Sequence, residues 1–500
     1  MTAAYGWAAV VLVSVATLAI GTFGLRFSRT TSDFYVASRS VGPFTNATAI
    51  GGEYLSAASF LGVAGLVLAY GADMLWFGVG WTAGYLVLLV LVAAPLRRSG
   101  AYTIPDFAEV RLESLPVRRL STVLVAVIGW LYLLPQFQGA GLTLRTVTGA
   151  PGWLGGVLVA GIVLVNVLAG GMRSITFVQA FQYWMKLTAL LVPLVFLLLA
   201  VRGRSSTPAP IDWVAPLSNG DSHALYKTYS LIIATFLGTM GLPHVLVRFY
   251  TNPDGRAARR TTLVVLGLLS TFYLLPTAYG VLARLYASNL AGPHMFDSAV
   301  LSLPGRLIGG DAGSLLTALV TAGAFAAFLS TSSGLTVSVA GVLAQDVLSR
   351  RFRPIPSFRI AAVAAVLVPV ILAISTQPLG VADTVSMAFA VAASTFCPLL
   401  VLGVWWPRLT DVGAALGLLA GGISSGGAVI ATVADPNRSG WVWVALAQPA
   451  AWTVPLGFGA MIVGSLATSR RIAPNVTRTM VRLHTPEQVD VDRGSWQPAS

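Results

Sequence analysis

TNATAIGGEYLSAASFLGVAGLVLAYG, residues 45–71, is long and apolar enough to enter a bilayer, yet Gly51-Gly52-Glu53 interrupts it. A second stretch, residues 229–250, is interrupted by Gly238-Thr239-Met240-Gly241-Leu242-Pro243. Paired interrupted helices in two halves of a membrane protein indicate a transporter's binding site near the bilayer midplane. We therefore expect the rest of the chain to be a scaffold for these two breaks.

Composition places the whole chain in a membrane. Of the 500 residues, 56% are hydrophobic and only 10% are charged, against about 25% charged in soluble proteins. Thirteen stretches reach the length of about 20 apolar residues that a spanning helix needs. We predict an all-α polytopic membrane protein with thirteen transmembrane helices. These stretches are residues 5–24, 45–71, 74–96, 120–147, 152–171, 175–200, 228–249, 262–284, 313–343, 359–376, 380–406, 410–432 and 446–467.

The basic residues indicate the orientation in the membrane. If the N-terminus is outside, 23 of the 31 Lys and Arg residues fall in inside loops and the C-terminal tail. Because cytoplasmic loops carry an excess of basic residues, we expect the N-terminus outside and the C-terminus in the cytoplasm, with the protein in the inner (plasma) membrane. The net charge of +13 is spread over alternate loops, so topology explains it better than a nucleic-acid partner does.

The two ends of the chain differ in character. The N-terminal MTAAYGWAAVV has no basic residue before its apolar run, which favours a first spanning helix over a cleaved signal peptide. Residues 469–500 are polar, and we expect a disordered cytoplasmic tail there, so that residues 1–468 form the transmembrane domain. Cys397 is the only cysteine, which excludes a disulfide or a cysteine metal cluster within one chain.

Two ionisable residues fall inside predicted spans. Glu53 lies beside the first glycine pair, and Lys186 lies near the middle of the span at 175–200. Charges at the bilayer centre cost at least about 2.5 kcal/mol and are functional by default, so we consider Glu53 and Lys186 paired or water-accessible elements of a transport path, with coupling or gating roles. The alternative is that either residue lies near an interface. His244, after Pro243, is either a hydrogen-bonding residue at a helix terminus or a proton carrier.

Other polar residues within spans leave two interpretations open. Leu329 is followed by four consecutive hydroxyl residues, Ser330-Thr331-Ser332-Ser333, which either bond back to the carbonyls of their own helix or bind a monovalent cation. Tyr132 and Gln136 are four residues apart and share a helix face. They either join neighbouring helices or contact the substrate.

Two motifs carry a resemblance to a known family. SDFYVASRSVGPFTNATAIGGEYLSAASFLG resembles the second-helix signature of the sodium:solute symporter family, and GTMGLPHVLVRFYTNPDGRAARR resembles its acetate and monocarboxylate permease branch, the cation acetate symporters. The similarity runs from about Ser32 to Arg408. It implies a leucine-transporter-type fold of two inverted five-helix repeats, at about 45–200 and 228–406, with the two interrupted stretches as the first helix of each repeat.

The resemblance also implies a sodium site between the first interrupted stretch and the span at 313–343. Backbone carbonyls and two hydroxyls would coordinate the ion. The acetate permeases lack this hydroxyl pair, and Glu53 replaces an aspartate that is usual in that branch. The implied Na⁺ ligands are Gly52, Leu55, Ala327, Ser330 and Thr331.

The implied function is import of a short-chain monocarboxylate, such as acetate, propionate or pyruvate, coupled to Na⁺ by alternating access. Backbone N–H groups and helix dipoles at the breaks would bind the carboxylate, and three side chains would shape the acyl end. The residues expected at the carboxylate are Tyr54, Ser56, Ala57, Gly238, Thr239 and Gly241, and those at the acyl end are Tyr132, Gln136 and Phe396.

Other functions remain as alternatives. The same fold could couple transport to protons, with Glu53 or His244 as the carrier, or could carry proline or a sugar with Na⁺, although GLPHVLVRF argues against the last two. A passive channel for small acids is a third possibility. An enzyme is not expected, because the sequence has no Gly-rich phosphate loop, no metal-ligand spacing and no nucleophile with a nearby base. No cofactor besides the coupling ion is expected.

Overall fold

The computed structural model describes residues 2–24, 41–207, 209–217, 223–292, 295–349, 353–376, 380–435, 439–486 and 489. These ranges fold into α-helices joined by short loops and by 3-10 and π turns. The α-helices are α1 (Thr2–Gly24), α2 (Pro43–Tyr54), α3 (Val63–Tyr70), α4 (Leu75–Val87), α5 (Ala93–Ser99), α6 (Ile104–Leu112), α7 (Leu115–Thr148), α8 (Gly152–Val201), α9 (Ile211–Val214), α10 (Ala224–Gly241), α11 (Pro243–Phe249), α12 (Gly255–Tyr286), α13 (Ala299–Leu307), α14 (Gly310–Leu343), α15 (Pro354–Ser375), α16 (Val381–Trp405), α17 (Asp411–Ala434), α18 (Trp441–Ala447), α19 (Ala450–Ala467) and α20 (Val476–His484).

Eleven helical stretches of the described chain are long and apolar enough to cross a membrane, or twelve if the bent pair α10 and α11 is one span. The expected number was thirteen. One of the eleven, Ala58–Ser99, has 42 residues, which would measure about 63 Å as one straight helix, twice the hydrocarbon thickness of about 30 Å. It therefore holds the second half of the expected span 45–71 and the expected span 74–96, separated by the 3-10 turn Gly71–Met74.

The first break lies a few residues beyond its expected position. Gly51 and Gly52 are still helical, and α2 ends at Tyr54. The glycines serve close packing instead, because a Cβ on Gly51 would lie 2.8 Å from the ring of Tyr183 and one on Gly52 would lie 2.0 Å from the carbonyl oxygen of Gln179. The helix resumes at Ala57 and continues as the π turn Ala58–Gly62, so Leu55 and Ser56 form the interruption.

The second break falls where the sequence places it. Helix α10 ends at Gly241, Leu242 has an extended backbone, and α11 starts at Pro243 with a bend of 44°. Proline lacks the N–H that a helix interior needs, which explains the interruption.

Each broken helix packs on a long partner. Helix α2 lies against α8, α10 lies against α16 and α4, and α8 also packs extensively against α14. Helix α7 contacts α8, α14 and α16. The two breaks therefore meet inside a bundle whose walls are α7, α8, α14 and α16.

The C-terminal segment differs from the disordered tail expected from its composition. Helix α20 forms at Val476–His484. The Nε of Arg482 donates to the carbonyl oxygen of Arg98 at 3.2 Å, and a guanidinium nitrogen of Arg98 lies 3.5 Å from the carbonyl oxygens of Leu483 and His484. Because these contacts join it to α5, residues 476–484 are part of the folded structure. The expectation for residues 490–500 falls outside the described residues.

Candidate functional site

The residues expected to bind sodium converge on one point beside the first break. The ammonium of Lys186, on α8, occupies that point: it donates to the carbonyl oxygen of Gly52, to that of Leu55 at 2.7 Å and to the hydroxyl oxygen of Ser330 at 2.7 Å. The Ser330 hydroxyl in turn donates to the carbonyl oxygen of Ala327 at 3.0 Å. All these residues are buried.

The last of the expected sodium ligands makes a different contact. The Thr331 hydroxyl donates to the backbone carbonyl oxygen of Glu53 at 2.5 Å. It therefore ties α14 to the last turn of α2, next to the oxygens that Lys186 contacts.

In this arrangement the site does not fit a sodium ion. Three of its oxygens, on Gly52, Leu55 and Ser330, already accept hydrogen bonds from a lysine. A sodium ion at the same point would be in contact with the ammonium, and like charges repel strongly in the low-dielectric interior. The residues are brought together as expected, but around a side-chain cation.

Glu53 is paired with Arg248 and not with Lys186. The Nε of Arg248 donates to a carboxylate oxygen of Glu53 at 2.7 Å, and both side chains are almost completely buried. The guanidinium also donates to the hydroxyl of Thr176 at 2.8 Å and to the amide oxygen of Gln179. A salt bridge thus joins the two broken helices, since Glu53 is on α2 and Arg248 is on α11. Of the two expectations for Glu53 and Lys186, a direct pair does not form in this structure, because Glu53 is paired with Arg248.

The charges at the first break do not balance. In their ordinary ionised forms, Lys186 and Arg248 each contribute one positive charge and Glu53 contributes one negative charge. In that ionised state the formal charges sum to +1 in a buried region, and the oxygens of Gly52, Leu55 and Ser330 stabilise the lysine. Because buried charge is costly, an anion bound nearby would stabilise this state.

An aromatic cluster lies on the other side of the same break, with Phe389 of α16 at its centre. The ring centroid of Phe389 is 6.2 Å from that of Tyr54, 5.7 Å from that of Trp81 and 5.8 Å from that of Tyr132. The Tyr54 hydroxyl is 2.7 Å from the hydroxyl of Thr239, so the cluster also contacts α10. Both breaks therefore border it.

Several polar atoms in this cluster have no partner among the described residues. They are the Tyr85 hydroxyl, the Trp81 indole nitrogen and both ring nitrogens of His244. Tyr85 lies against Tyr54, with ring centroids 4.9 Å apart, and His244 lies against Tyr132 at 5.2 Å. A buried polar group without a partner costs about 1–3 kcal/mol. Tyrosine, tryptophan and neutral histidine can each donate a hydrogen bond, so the cluster offers three donors to a bound molecule.

Some expected substrate residues are engaged with protein. The backbone N–H of Ala57 donates to the side-chain oxygen of Gln136 at 3.0 Å. Gln136 thus caps the first break, and Ser56 lies buried within that break.

The glycines expected at the carboxylate face α16. A Cβ on Gly238 would lie 2.5 Å from the carbonyl oxygen of Phe389, and one on Gly241 would lie 2.3 Å from that of Ala392. Phe396 is buried on α16, but Phe389, seven residues earlier, makes the ring contacts with the cluster.

Helix α7 runs from an ion cluster at its start to a cavity at its end. The cluster joins the Arg118 guanidinium to Asp106 at 2.8 Å, to Asp346 at 2.7 Å and to Glu109. Burial raises the pKa of Asp106 to about 6, an effect that Arg118 opposes and Asp346 reinforces. The cluster thereby connects α6, α7 and the segment after α14 at one end of the bundle.

The cavity has a volume of about 360 Å³ and lies at the opposite end of the bundle. Its lining includes Phe137 and Gln138, which follow Gln136 in the chain, and it extends to Arg145 near the end of α7. The 3-10 turn Phe296–Ser298 also borders it, and the Asp297 carboxylate accepts a hydrogen bond from the Val381 N–H at 3.1 Å. Burial raises the pKa of Asp297 to about 7, with Asp383 adding to the rise.

Sequence reasoning missed three important residues. Arg248 lies within the GLPHVLVRF motif, in the helix directly after the break, and no local pattern separates it from the basic residues of the loop that follows. Phe389 and Tyr85 lie in apolar spans and carry no sequence signal that separates them from lipid-facing aromatic residues. Only the packing of α16 and α4 against the breaks reveals them.

The described geometry defines a class: a polytopic membrane transporter with two broken helices that meet at buried charges. Residues 34–421 match the pattern of the sodium:solute symporter family, and the chain belongs to this family. Membership implies coupling of solute transport to Na⁺.

Relatives support the same class. The chain is 31% identical over 506 residues to "Uncharacterized symporter YwcA" of Bacillus subtilis (strain 168), an alignment that covers 94% of this chain and 96% of that protein. The fold of the present chain resembles the substrate-bound outward-open state of a Na⁺-coupled sialic acid symporter. The TM-score is 0.71 and the identity is 15%, with coverage of 94% of this chain and 98% of that chain. It also resembles Mhp1, a nucleobase-cation-symport-1 family transporter, with a TM-score of 0.59, 14% identity and coverage of 91% and 99%. At these identities the two structures establish likeness of fold alone.

Proposed function

We propose that this protein is a secondary active symporter that imports a short-chain monocarboxylate, such as acetate, propionate or pyruvate, by alternating access. The observation that carries the proposal is the set of unpartnered buried donors beside a break where Glu53, Lys186 and Arg248, when all are ionised, sum to a formal charge of +1. An anion of one charge would balance this region. A neutral sugar or a zwitterionic amino acid would not.

The aromatic cluster suits a small acid. The carboxylate would accept hydrogen bonds from the Tyr85 hydroxyl, the Trp81 indole or His244, which have no partner in the described part of the chain. The short acyl group would lie against the rings of Phe389 and Tyr132, whose centroids are 5.8 Å apart. Removing an unpartnered donor should therefore weaken binding more than it weakens folding.

Alternating access is supported by the contrast between the two ends of α7, one beside a cavity and the other held by an ion cluster. The cavity at one end reaches Phe137, beside the residue that caps the first break, whereas Arg118 and three acids connect the helices at the other end. With thirteen spans, an outside N-terminus and a 5+5 inverted repeat, all still proposals, the cavity would face the outside. The ion cluster would close the cytoplasmic side.

The coupling cation has two candidates. Family membership favours Na⁺. The second candidate is a proton carried by Glu53 or His244, and one observation favours it: Lys186 fills the place where the expected Na⁺ ligands converge.

Counterflow of radiolabelled acetate in proteoliposomes tests the substrate without assuming a driving ion. We expect labelled acetate to enter vesicles that are preloaded with unlabelled acetate, and pyruvate to compete with it while proline does not. Vesicles without protein give the background. No counterflow of acetate, propionate or pyruvate above that background would refute the proposed substrate class.

A further inference from the structure

Lys186 has a complete and unusual set of partners. A lysine ammonium has three N–H donors, and Lys186 directs them to two backbone carbonyl oxygens, of Gly52 and Leu55, and to the Ser330 hydroxyl. No carboxylate is among these partners, because Glu53 is paired with Arg248. The ammonium is therefore held by neutral carbonyl and hydroxyl oxygens alone, the ligand types that a hard monovalent cation also takes.

We propose that the Lys186 ammonium is a tethered cation that takes the place of sodium at this site, so that the wild-type site binds no Na⁺. The inference deepens the proposed function, since it concerns the cation step of the same symporter. Any sodium that the protein uses would bind elsewhere.

The contacts join the same elements that a sodium ion would join. Gly52 and Leu55 belong to α2 and its break, and Ser330 belongs to α14. The tether also fixes a third element, because Lys186 is on α8 and Gln179, two turns earlier on that helix, donates to the carbonyl oxygen of Ser330 at 2.9 Å. Lys186 and Gln179 therefore link α8 to α2 and to α14 through side chains that are part of the protein.

The hydroxyls of Ser330 and Thr331 are oriented as expected if Lys186 is the cation at this site. The acceptor lone pairs of Ser330 face Lys186 while its proton is donated to Ala327, and the proton of Thr331 is donated to Glu53. Both hydroxyls are thus oriented by backbone carbonyls. If the ammonium were removed, the oxygens of Gly52, Leu55 and Ser330 would remain converged with no cation among them, and Na⁺ could enter.

The test is sodium binding by purified protein in detergent. It compares wild type, Lys186→Ala, Ser330→Ala/Thr331→Ala and the triple variant that combines these substitutions. The readouts are binding of radioactive sodium and the thermal unfolding temperature in NaCl against choline chloride and KCl.

We expect no sodium-specific effect that depends on this site in the wild type or in Ser330→Ala/Thr331→Ala. Lys186→Ala should gain sodium binding together with a sodium-specific rise of the unfolding temperature on the order of 2 °C. The triple variant should lose both. A structural role of Lys186 alone would lower the unfolding temperature equally in all salts.

Two results would overturn the inference. One is sodium binding by the wild type that Ser330→Ala/Thr331→Ala abolishes, which needs no lysine variant and stands even if Lys186→Ala does not fold. The other is a folded Lys186→Ala that gains no sodium response. Acetate counterflow on the same wild-type preparation separates the two proposals, because its absence refutes the substrate class and leaves the sodium result intact.

Discussion

The two breaks are stabilised by different kinds of interaction. At the first break, the buried Lys186 ammonium and the Thr331 hydroxyl donate to backbone carbonyls at the end of α2 and in the break. At the second break, proline stops the helix, and Gly238 and Gly241 place α10 directly against the backbone of α16. The first break is therefore stabilised by charge and the second by close packing. Substitutions that change charge should damage the first break, and substitutions that add a methyl group should damage the second.

The largest effect is expected from Arg248→Met. This change leaves the Glu53 carboxylate buried without its partner, which typically lowers the free energy of unfolding by about 3–5 kcal/mol, and we expect acetate counterflow to fall more than 100-fold. Chemical unfolding in detergent and counterflow measure the two effects. The double variant Glu53→Gln/Arg248→Met should be more stable than Arg248→Met alone. Additive losses would argue that the two residues act independently.

Gly241→Ala tests the packed break. A Cβ there would lie 2.3 Å from the Ala392 carbonyl oxygen, and overpacking of this kind costs about 1–3 kcal/mol. Gly267→Ala is the matched control, because Gly267 is exposed on α12 with nothing within 4 Å of its added Cβ. The control should be neutral or up to about 1 kcal/mol more stable. Equal unfolding temperatures for the two variants would contradict the packing explanation.

Tyr85→Phe separates binding from stability. Its hydroxyl has no partner among the residues that the structure describes, so we expect the KM for acetate uptake to rise about tenfold while the unfolding temperature stays the same or rises. Tyr279→Phe is the control, since its hydroxyl donates to the carbonyl oxygen of Leu190 at 3.1 Å. That variant should lose stability without a change of KM. The reverse pattern would remove Tyr85 from the substrate site.

The smallest effect concerns pH. The pKa of Asp297 is raised to about 7 by burial, above its value of about 4 in an unfolded chain. The folded state therefore binds this proton more tightly, and its contribution to stability is lost as pH rises from about 4 to about 7. We expect the unfolding temperature to fall by about 2 °C over this range in the wild type and by less in Asp297→Asn. An unchanged pH profile in the variant would refute this assignment.

The sequence predicts much of this architecture. Apolar length indicates the spans, and Pro243 marks the second break at its observed place. The first break was predicted four residues too early, because Gly51 and Gly52 read as interruptions when their role is to let α2 approach α8. A glycine pair alone does not distinguish these two functions.

The site was less predictable because its contacts join distant segments. Glu53 and Arg248 are 195 residues apart, and nothing local to either residue indicates the pairing. The place of the Lys186 ammonium depends on how α8 is rotated against α2 and α14. Phe389 and Phe396 are two turns apart on one helix, and periodicity cannot tell which of them lies at the depth of the breaks.

A high-resolution experimental structure in sodium buffer and in choline buffer tests the cation site most directly. We predict that density for the Lys186 side chain reaches the carbonyl oxygens of Gly52 and Leu55 in both buffers, with no separate ion between them. A Lys186 side chain turned away from these oxygens, with a sodium-dependent density at their centre, would contradict the tethered cation.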